Sequence, residues 1–154
     1  MSLEALLTPV SLGPATLRNR VVSTAHQTSL VHDHLPTGDL VAYHEARARG
    51  GAGAVFLEAT AVHETGLLTA HTIGGYLPAI APAYERLGAA VRAHGTRLFV
   101  QLFHGGREQI ASPPRPPAIA PSAIPTPRFR TEPRALTRRE IRDVIAGYAA
   151  AARR

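Results

Sequence analysis

One stretch of the sequence constrains the fold most: an apolar run over residues 97–103 that turns abruptly polar. The segment Leu98–Val100 is typical of a strand covered on both faces. Hydrogen-bonding side chains and a glycine pair accompany its end, namely Gln101, His104, Gly105-Gly106 and Arg107. A buried strand with such an end is typical of the carboxyl edge of a parallel sheet, where α/β enzymes place their sites.

Two earlier stretches repeat this pattern. Val21-Val22 form an apolar strand core that is followed by polar residues over 23–28. Ala54–Leu57 is predicted to be a second short buried strand, and Glu58-Ala59-Thr60 end it. The sequence therefore predicts three strands with polar carboxyl ends.

Helix signals separate these strands. The first helix is predicted to start at Asp39 as N-cap and to stop at Gly50-Gly51, with a stripe of Leu40, Tyr43, Ala46 and Arg47. The second has Pro82 in its first turn, ends at Gly95 and carries the stripe Tyr84, Leu87, Ala90, Val91 and His94. The third begins with a Thr137/Glu140 capping box and carries Ile141, Val144, Ile145 and Tyr148. Alternating units of this kind predict a parallel sheet with right-handed crossovers.

The remaining segments are predicted to be turns and loops. Two short extended pieces flank a turn at Gly13-Pro14, and residues 32–38 and 61–78 are expected to be loops. Residues 108–136 form a long loop that is rich in proline between 112 and 133. This loop is either a linker or ligand for partner domains, or a semi-rigid excursion over an active site. Composition alone slightly favours the linker.

Composition excludes several classes of site. The chain has no cysteine, which excludes disulfides, thiolate metal sites, iron–sulfur ligation and a cysteine nucleophile. There is no charged-then-apolar leader and no apolar run near the roughly 20 residues that span a bilayer, so we expect a soluble, unexported, cytoplasmic protein without a membrane partner. The net charge of +6 comes from arginine alone, scattered along the chain, which indicates compositional bias rather than a nucleic-acid surface.

Five pieces of the sequence resemble one known family, and they occur in its order and close to its spacing. They are Leu17–Val22, Tyr43–Gly53, Glu58–Thr60, Val100–Arg107 and Ala120–Ser122. The family is the old yellow enzyme group of flavin-dependent reductases, and the 2,4-dienoyl-CoA reductase and trimethylamine dehydrogenase branch is the most similar. Its fold is a TIM (β/α)8 barrel that binds FMN at the carboxyl ends of the strands. A whole barrel typically takes about 250 residues. The resemblance therefore implies that residues 1–154 are an N-terminal portion of about three βα units of such a barrel, truncated.

The resemblance also implies site residues. By position, the flavin would lie along Thr24, Ala25, His26 and Gln27, approach the backbone of Ala59, and hydrogen-bond to Gln101 through its pyrimidine ring. A carboxamide suits that role because it offers a donor and an acceptor to an N–H beside a C=O. Substrate contacts would come from His104 and Arg107.

Structural alternatives stay open for several of these residues. Gln101 as a strand-end surface residue, His26 as a loop cap and His104 as a loop anchor are the alternatives to ligand contact. Arg107 would alternatively pair with Glu58 and tie neighbouring strands together. The His32/His34 pair has metal-ligand spacing, but no carboxylate or thiol constellation surrounds it, so no metal is expected.

Two positions depart from the family. Ala25 stands where members often have Pro, and Gln27 stands where the trimethylamine dehydrogenase type has its flavin-linking cysteine, which excludes a covalent flavin. The pair that grips the substrate carbonyl, an arginine near the flavin, the phosphate-holding loops and the iron–sulfur region are all expected beyond Arg154.

The expected function is that of an FMN-dependent NAD(P)H oxidoreductase, similar to ene-reductases and 2,4-dienoyl-CoA reductases. Hydride would pass through FMN from NADH or NADPH to an activated alkene or enoyl thioester, with this chain supplying part of the flavin site. The alternative is a catalytically inactive barrel fragment, or an interaction module that uses its proline-rich segment. Expected partners are the flavin, a small-molecule substrate and either a polypeptide that completes the barrel or further copies of the chain.

Overall fold

The computed structural model describes residues 3–110 and 117–154. The helices are α1 (Leu3–Leu7), α2 (Gly38–Arg49), α3 (Ile80–Arg92) and α4 (Arg138–Ala151). The strands are β1 (Val10–Leu12), β2 (Ala15–Leu17), β3 (Val22–Ser23), β4 (Val31–His32), β5 (Leu35–Pro36), β6 (Ala54–Ala61), β7 (Ile73–Gly74), β8 (Arg97–Phe103), β9 (Ile119–Ala120) and β10 (Arg134–Ala135).

A parallel sheet centred on β6 organises the molecule. β8 pairs with β6 along its whole length, from Ala54 opposite Arg97 to Ala61 opposite Phe103. β3 and β7 pair with opposite ends of β6 and share its other edge. The alternation β3–α2–β6–α3–β8–α4 confirms the predicted succession of three strand–helix units, which forms an open, partial barrel.

The main core lies between this sheet and two helices. Leu57 of β6 packs with Leu40 of α2 and with Leu87 and Val91 of α3, and all four side chains are fully buried. Burying such aliphatic side chains is the main force that holds each helix against the sheet. One face of β8 joins this core, because Leu98 and Val100 are packed against it.

The other face of the sheet carries a small aromatic contact. The rings of Phe56 and Phe99, which are opposite each other in the β6–β8 register, stack with centroids 4.9 Å apart. Both rings stay half-buried. The expectation that β8 is covered on both faces is therefore wrong: none of its residues is fully buried.

The bounds of the helices correct two expectations. The N-cap of α2 is Thr37, whose Oγ1 accepts a hydrogen bond from the N–H of Leu40, and not Asp39. Leu40 is buried as predicted, but the rest of the buried face of α2 is His44 and Ala48 and not Tyr43, Ala46 and Arg47. In α3, Leu87 and Val91 are buried as predicted, together with Ile80, Ala83 and Gly88, whereas Tyr84 and Ala90 are half-buried. His94, the last residue of the predicted stripe, follows the helix and is also half-buried.

The loops are more structured than the sequence predicts. The turn at Gly13-Pro14 joins β1 and β2 into an antiparallel hairpin, as expected. The predicted loop over 32–38 contains most of the β4–β5 hairpin, and the loop over 61–78 contains β7.

The proline-rich loop packs against the rest of the molecule at several of its described residues. Residues 111–116, with three of the prolines that define the segment, lie outside the described residues. Beyond them, β9 pairs in parallel with β10, and Ala118–Ala120, Thr126 and Pro133 are buried. This part is therefore a packed excursion and not a linker.

Helix α4 is the least buried of the three long helices. The predicted capping box is present, since Thr137 accepts from the Glu140 N–H and Glu140 accepts from the Thr137 N–H. The helix approaches the sheet at Gly147, where a Cβ would lie 2.8 Å from the carbonyl oxygen of Val62. Its predicted apolar stripe is largely exposed, and Ala151 is its one fully buried residue. No helix within residues 3–110 and 117–154 is long and apolar enough to cross a membrane.

Candidate functional site

The carboxyl ends of β3, β6 and β8 meet at one edge of the sheet, because the strands are parallel. We call the candidate site residues at this edge, Thr24, Ala25, His26, Gln27, Ala59 and Gln101, the carboxyl rim. A register shift between Leu57 and Ala59 makes Glu58 a bulge, and it brings Ala59 directly opposite Gln101. Bulges of this kind occur next to active sites, where they re-aim side chains.

Gln101 presents an unengaged carboxamide on this rim. Its side chain is exposed and makes no hydrogen bond to any residue that the structure describes. Because Leu98 and Val100 face the helices, alternation along β8 places Gln101 with Phe99 on the opposite, open face of the sheet. Both donor and acceptor of the carboxamide are therefore available to a ligand.

A buried carboxyl group holds the segment after β3 in place. Oε2 of Glu58 accepts hydrogen bonds from the N–H of Thr28 at 2.9 Å and from its hydroxyl at 2.6 Å. The Glu58 side chain is only 1% exposed. Next to Thr28, the Nε2 of Gln27 donates to Oγ1 of Thr69 at 2.7 Å. Residues 24–28 are thus tied to β6 and to the loop that follows it.

His26 is turned towards helix α2. Its Nδ1–H donates to the carbonyl of Thr24 at 3.4 Å, and its Nε2 accepts from the hydroxyl of Tyr43. The two rings meet edge to face, with centroids 5.5 Å apart. The Arg47 guanidinium lies over the Tyr43 ring, 3.2 Å from its centroid. Thr24 and Ala25 stay at the strand end, exposed and half-buried respectively.

His104 anchors the loop after β8 to the loop after β6. Its Nδ1 accepts from the N–H of Gly106 at 3.0 Å, so its Nε2–H donates to Oγ1 of Thr65 at 3.1 Å. That hydroxyl in turn donates to Nδ1 of His63 at 2.8 Å. Burial lowers the pKa of His104, and the nearby His63 lowers it further. The loops also touch at Gly66, where a Cβ would lie 2.8 Å from the His104 ring.

Arg107 does not pair with Glu58, so the structural alternative considered for Arg107 is wrong. Glu58 is buried with its Oε2 bound to Thr28, whereas Arg107 is exposed. Nη1 of Arg107 instead donates to the carbonyl of Ile124 at 3.3 Å, which ties the loop after β8 to the proline-rich excursion.

The two histidines with metal-ligand spacing point to different partners. His32 contacts Asp33 at 3.3 Å on the surface, and Nδ1 of His34 lies 2.8 Å from the carbonyl of Thr72. Across residues 3–110 and 117–154, no group of three or more His, Cys, Asp or Glu side chains could hold a metal ion.

Three sets of contacts were missed by sequence reasoning. They are the hydrogen bonds from Thr28 to Glu58, which we call the Thr28–Glu58 clasp, the Gln27–Thr69 hydrogen bond, and the series of hydrogen bonds that joins His63, Thr65 and His104. The strand order offered a usable signal for the last of these. His63 and Thr65 lie just after β6 and His104 just after β8, and parallel neighbours bring such loops together. The Thr28–Glu58 contact had no comparable signal, because it depends on the bulge.

Comparison with known proteins decides the family. The model of the NADH:flavin oxidoreductase / NADH oxidase family matches residues 5–154. The chain belongs to this family. The resemblance found in the sequence is thereby confirmed.

Curated relatives and solved structures agree with this membership. The chain is 34% identical over 154 residues to an NADPH dehydrogenase of Listeria monocytogenes serotype 4a (strain HCC23), covering 99% of the chain and 45% of the relative. It is 34% identical over 155 residues to a multifunctional alkene reductase/demethylase of Caballeronia cordobensis, covering 99% of the chain and 23% of the relative. The chain thus spans less than half the length of these relatives.

The structural matches establish the fold class. Morphinone reductase superposes with a TM-score of 0.86 at 28% identity, covering 96% of this chain and 44% of that one. A 2-naphthoyl-CoA reductase superposes with a TM-score of 0.90 over 99% of this chain and 25% of that one; at 24% identity it supports the fold alone. The expected fold, an N-terminal portion of a TIM barrel, is confirmed.

Proposed function

We propose that this chain forms the amino-terminal wall of an FMN site in an oxidoreductase that uses NADH or NADPH as reductant. The observation that carries the proposal is the exposed, unengaged carboxamide of Gln101 directly opposite Ala59 at the carboxyl rim. Membership of the NADH:flavin oxidoreductase family supports the choice of cofactor. The Listeria relative is an NADPH dehydrogenase, and we extend that activity to the protein that contains this chain.

The residues of the rim suit a flavin ring. The carboxamide of Gln101 offers an amino group that donates and an oxygen that accepts, which match the adjacent C=O and N–H groups of the pyrimidine. Ala59 is half-buried and small, so its backbone is open to the ring edge, and Ala25 is equally small. Thr24 completes the wall beside them. The Thr28–Glu58 clasp preorganises this wall, because it fixes the segment after β3 to the bulge of β6.

Bound FMN supplies the hydride chemistry, from NADH or NADPH to an activated alkene or enoyl thioester. The chain's own residues hold and orient the ring. Gln101 and Ala59 set its position, while His26 and Gln27 line the wall from positions fixed by Tyr43 and Thr69.

Arg107 is our candidate for direct substrate contact, and His104, the other residue predicted for this role, is assigned to positioning it. Arg107 is exposed and uses one N–H on Ile124, so its remaining donors can bind a carbonyl or carboxylate oxygen. Both ring nitrogens of His104 are engaged by the loops, and its lowered pKa keeps the imidazole neutral. We therefore propose that His104 positions Arg107 and the Gly105-Gly106 pair next to the carboxyl rim.

The proposal includes further strands that complete the barrel. The outer edge of β8 has no partner strand among the residues that the structure describes, and Val21 and Val22 are 43% and 40% exposed. Barrels remove such edges by closure. The strands are expected from a longer form of the protein or from a second polypeptide, and we place the assembly in the cytoplasm.

Amide chemical shifts test the flavin wall directly. We expect lumiflavin, which carries no phosphate, to shift the backbone amides of Thr24, Ala59 and Gln101 in a heteronuclear NMR titration. Gln101→Leu removes both hydrogen-bonding groups at similar volume and should weaken this binding about tenfold. Glu85→Ala, an exposed change on the outer surface of α3, is the matched control and should leave the titration unchanged. Shifts that avoid the rim would reject the flavin wall and favour an inactive fragment or interaction module.

Activity requires the completed barrel. We therefore expect NADPH oxidation when this chain replaces the matching amino-terminal 45% of the Listeria NADPH dehydrogenase in a chimaera that retains FMN. A folded chimaera that retains FMN and fails to oxidise either NADH or NADPH would count against the reductase function.

A further inference from the structure

A cavity lies at the amino-terminal end of the strands, on the opposite side of the sheet from the carboxyl rim. It has a volume of about 510 Å³ and is bordered by the start of β8, the end of α3 and the β1–β2 hairpin. We call it the basic cavity, since three of its lining residues are Arg18, Arg92 and Arg97. Arg18 is far from Arg92 and Arg97 in the sequence, and the fold brings it next to the turn between α3 and β8.

Arg18 is held rigidly in this cavity. Its Nη2 donates to the carbonyl of Ala48 at 2.9 Å, and its Nε and Nη2 donate to the carbonyl of Ala52 at 3.3 and 3.2 Å. The hydroxyl of Thr96 adds a contact to Nη2 at 3.4 Å. One edge of the guanidinium therefore binds the end of α2, and Nη1 remains without a hydrogen bond to any described residue.

The other two guanidinium groups keep most of their donors. Nε of Arg97 donates to the carbonyl of Thr16 at 3.3 Å, which leaves both Nη atoms. The Arg92 side chain makes no hydrogen bond or ion pair within the described parts of the chain, and its Nη1 lies over Gly88, one helical turn back from the cavity, where a Cβ would come within 2.6 Å.

No acidic side chain compensates this charge. Among the described residues that line the cavity, none is Asp or Glu. Glu45, close by in the fold, is already paired with His94 at 3.2 Å. The positive charges of Arg18 and Arg97 border this open cavity without a counter-charge, and they would attract a bound anion.

We propose that the basic cavity binds the dianionic phosphate of a small phosphate monoester. Guanidinium forks match phosphate oxygens with paired, charge-assisted hydrogen bonds, and the fixed Arg18 lowers the ordering cost of such a contact. The volume lies in the range of small-molecule sites, so it holds a phosphate together with a compact organic group. Pro9 and the aliphatic stems of the arginines supply apolar contact for that group. This site is separate from the proposed flavin wall.

Titration with phenyl phosphate, followed by ³¹P NMR and calorimetry, tests the proposal. We expect saturable binding that is about tenfold weaker in Arg97→Gln, since this variant loses a charge-assisted contact. Arg97 is exposed, so the variant should fold. Arg86→Gln removes the same charge from an exposed position on α3 outside the cavity and should bind like the parent chain.

Two further probes identify the chemistry. Inorganic phosphate should compete with phenyl phosphate, whereas benzoate, a monoanion with the same ring, should compete at least tenfold less well. Absence of saturable binding, equal weakening by Arg86→Gln, or equal competition by benzoate would each overturn the proposal. Because phenyl phosphate contains no flavin ring, these outcomes are independent of the test at the carboxyl rim.

Discussion

The contact between Thr28 and Glu58 fixes the segment that follows β3 to strand β6. Thr28→Val keeps the backbone N–H bond and the side-chain volume but removes the hydroxyl that donates to Glu58 Oε2 at 2.6 Å. We expect the free energy of unfolding to fall by about 1–3 kcal/mol, because a buried carboxyl oxygen loses a donor. Urea denaturation measures the change. Thr28→Ser retains the hydroxyl and should lose clearly less; equal losses in the two variants would show that this bond contributes little.

A buried histidine on α2 gives the fold a dependence on pH. Neither ring nitrogen of His44 has a hydrogen-bond partner in the described residues, and the residue is 2% exposed. Burial, then Arg47 and His26, lowers its pKa from 6.5 to about 4. Between these values the unfolded chain binds more protons than the folded one, so stability is lost as the pH falls from 6.5 towards 4.

Urea denaturation at pH 7 and pH 5 should therefore show a less stable protein at the lower pH. His44→Leu should reduce this difference, whatever it does to the stability at pH 7. His32→Gln is the control, because the His32 side chain is 82% exposed and should leave the pH dependence as it is. An unchanged slope in His44→Leu would contradict the assignment.

At the scale of elements, the turn between α2 and β6 is packed too closely for any side chain at Gly53. A Cβ there would lie 2.4 Å from the carbonyl oxygen of Asn19 and 2.6 Å from its Oδ1. Asn19 cannot move away easily, since its side chain bonds Gly51 and Val21. We expect Gly53→Ala to lower the free energy of unfolding by more than about 2 kcal/mol.

Gly38→Ala is the matched control, because a Cβ at this position, at the start of α2, would have no atom within 4 Å. It should leave stability unchanged or raise it by roughly 0.5 kcal/mol. Thermal or urea unfolding of both variants checks the contrast, and similar losses at the two positions would refute the packing argument.

Element boundaries were predictable where the deciding contacts are local. The Thr137/Glu140 box and the Gly50-Gly51 stop act within a few residues, so the sequence alone identifies them. Thr37 and Asp39 are both good N-caps, and only the extended backbone of Thr37 decides between them. The exposure of β8 was not predictable, because it depends on which strands flank it.

The contacts at the candidate site can also be separated into those that the sequence predicts and those that depend on tertiary packing. Parallel order is readable from the alternation of strands and helices, and it brings the carboxyl ends of β6 and β8 together. The pairing of Ala59 with Gln101 depends in addition on the bulge at Glu58. The turn of His26 towards Tyr43 and the bond from Arg107 to Ile124 depend on packing between distant segments. No local pattern encodes these two contacts.

For the whole molecule, the open barrel leaves apolar surface that a closed one would cover. Ile141, Ile145 and Tyr148 of α4 are 44%, 63% and 37% exposed, and Val21 and Val22, at the start of β3, are 43% and 40% exposed. The outer edge of β8 adds backbone donors and acceptors that are unpaired within the described part of the chain. Surfaces of this kind promote association between copies.

We therefore expect this chain alone to self-associate, with sedimentation coefficients that rise with protein concentration. The double variant Ile141→Glu/Ile145→Glu places charge on the exposed face of α4 and should shift the equilibrium towards the monomer. Ala149→Glu adds charge at another exposed position of the same helix and should shift it less. A monomeric parent chain with a sharp two-state melt would contradict this expectation. It would mean that three strand–helix units bury enough apolar surface to stand alone, and that closure of the barrel serves the site rather than the fold.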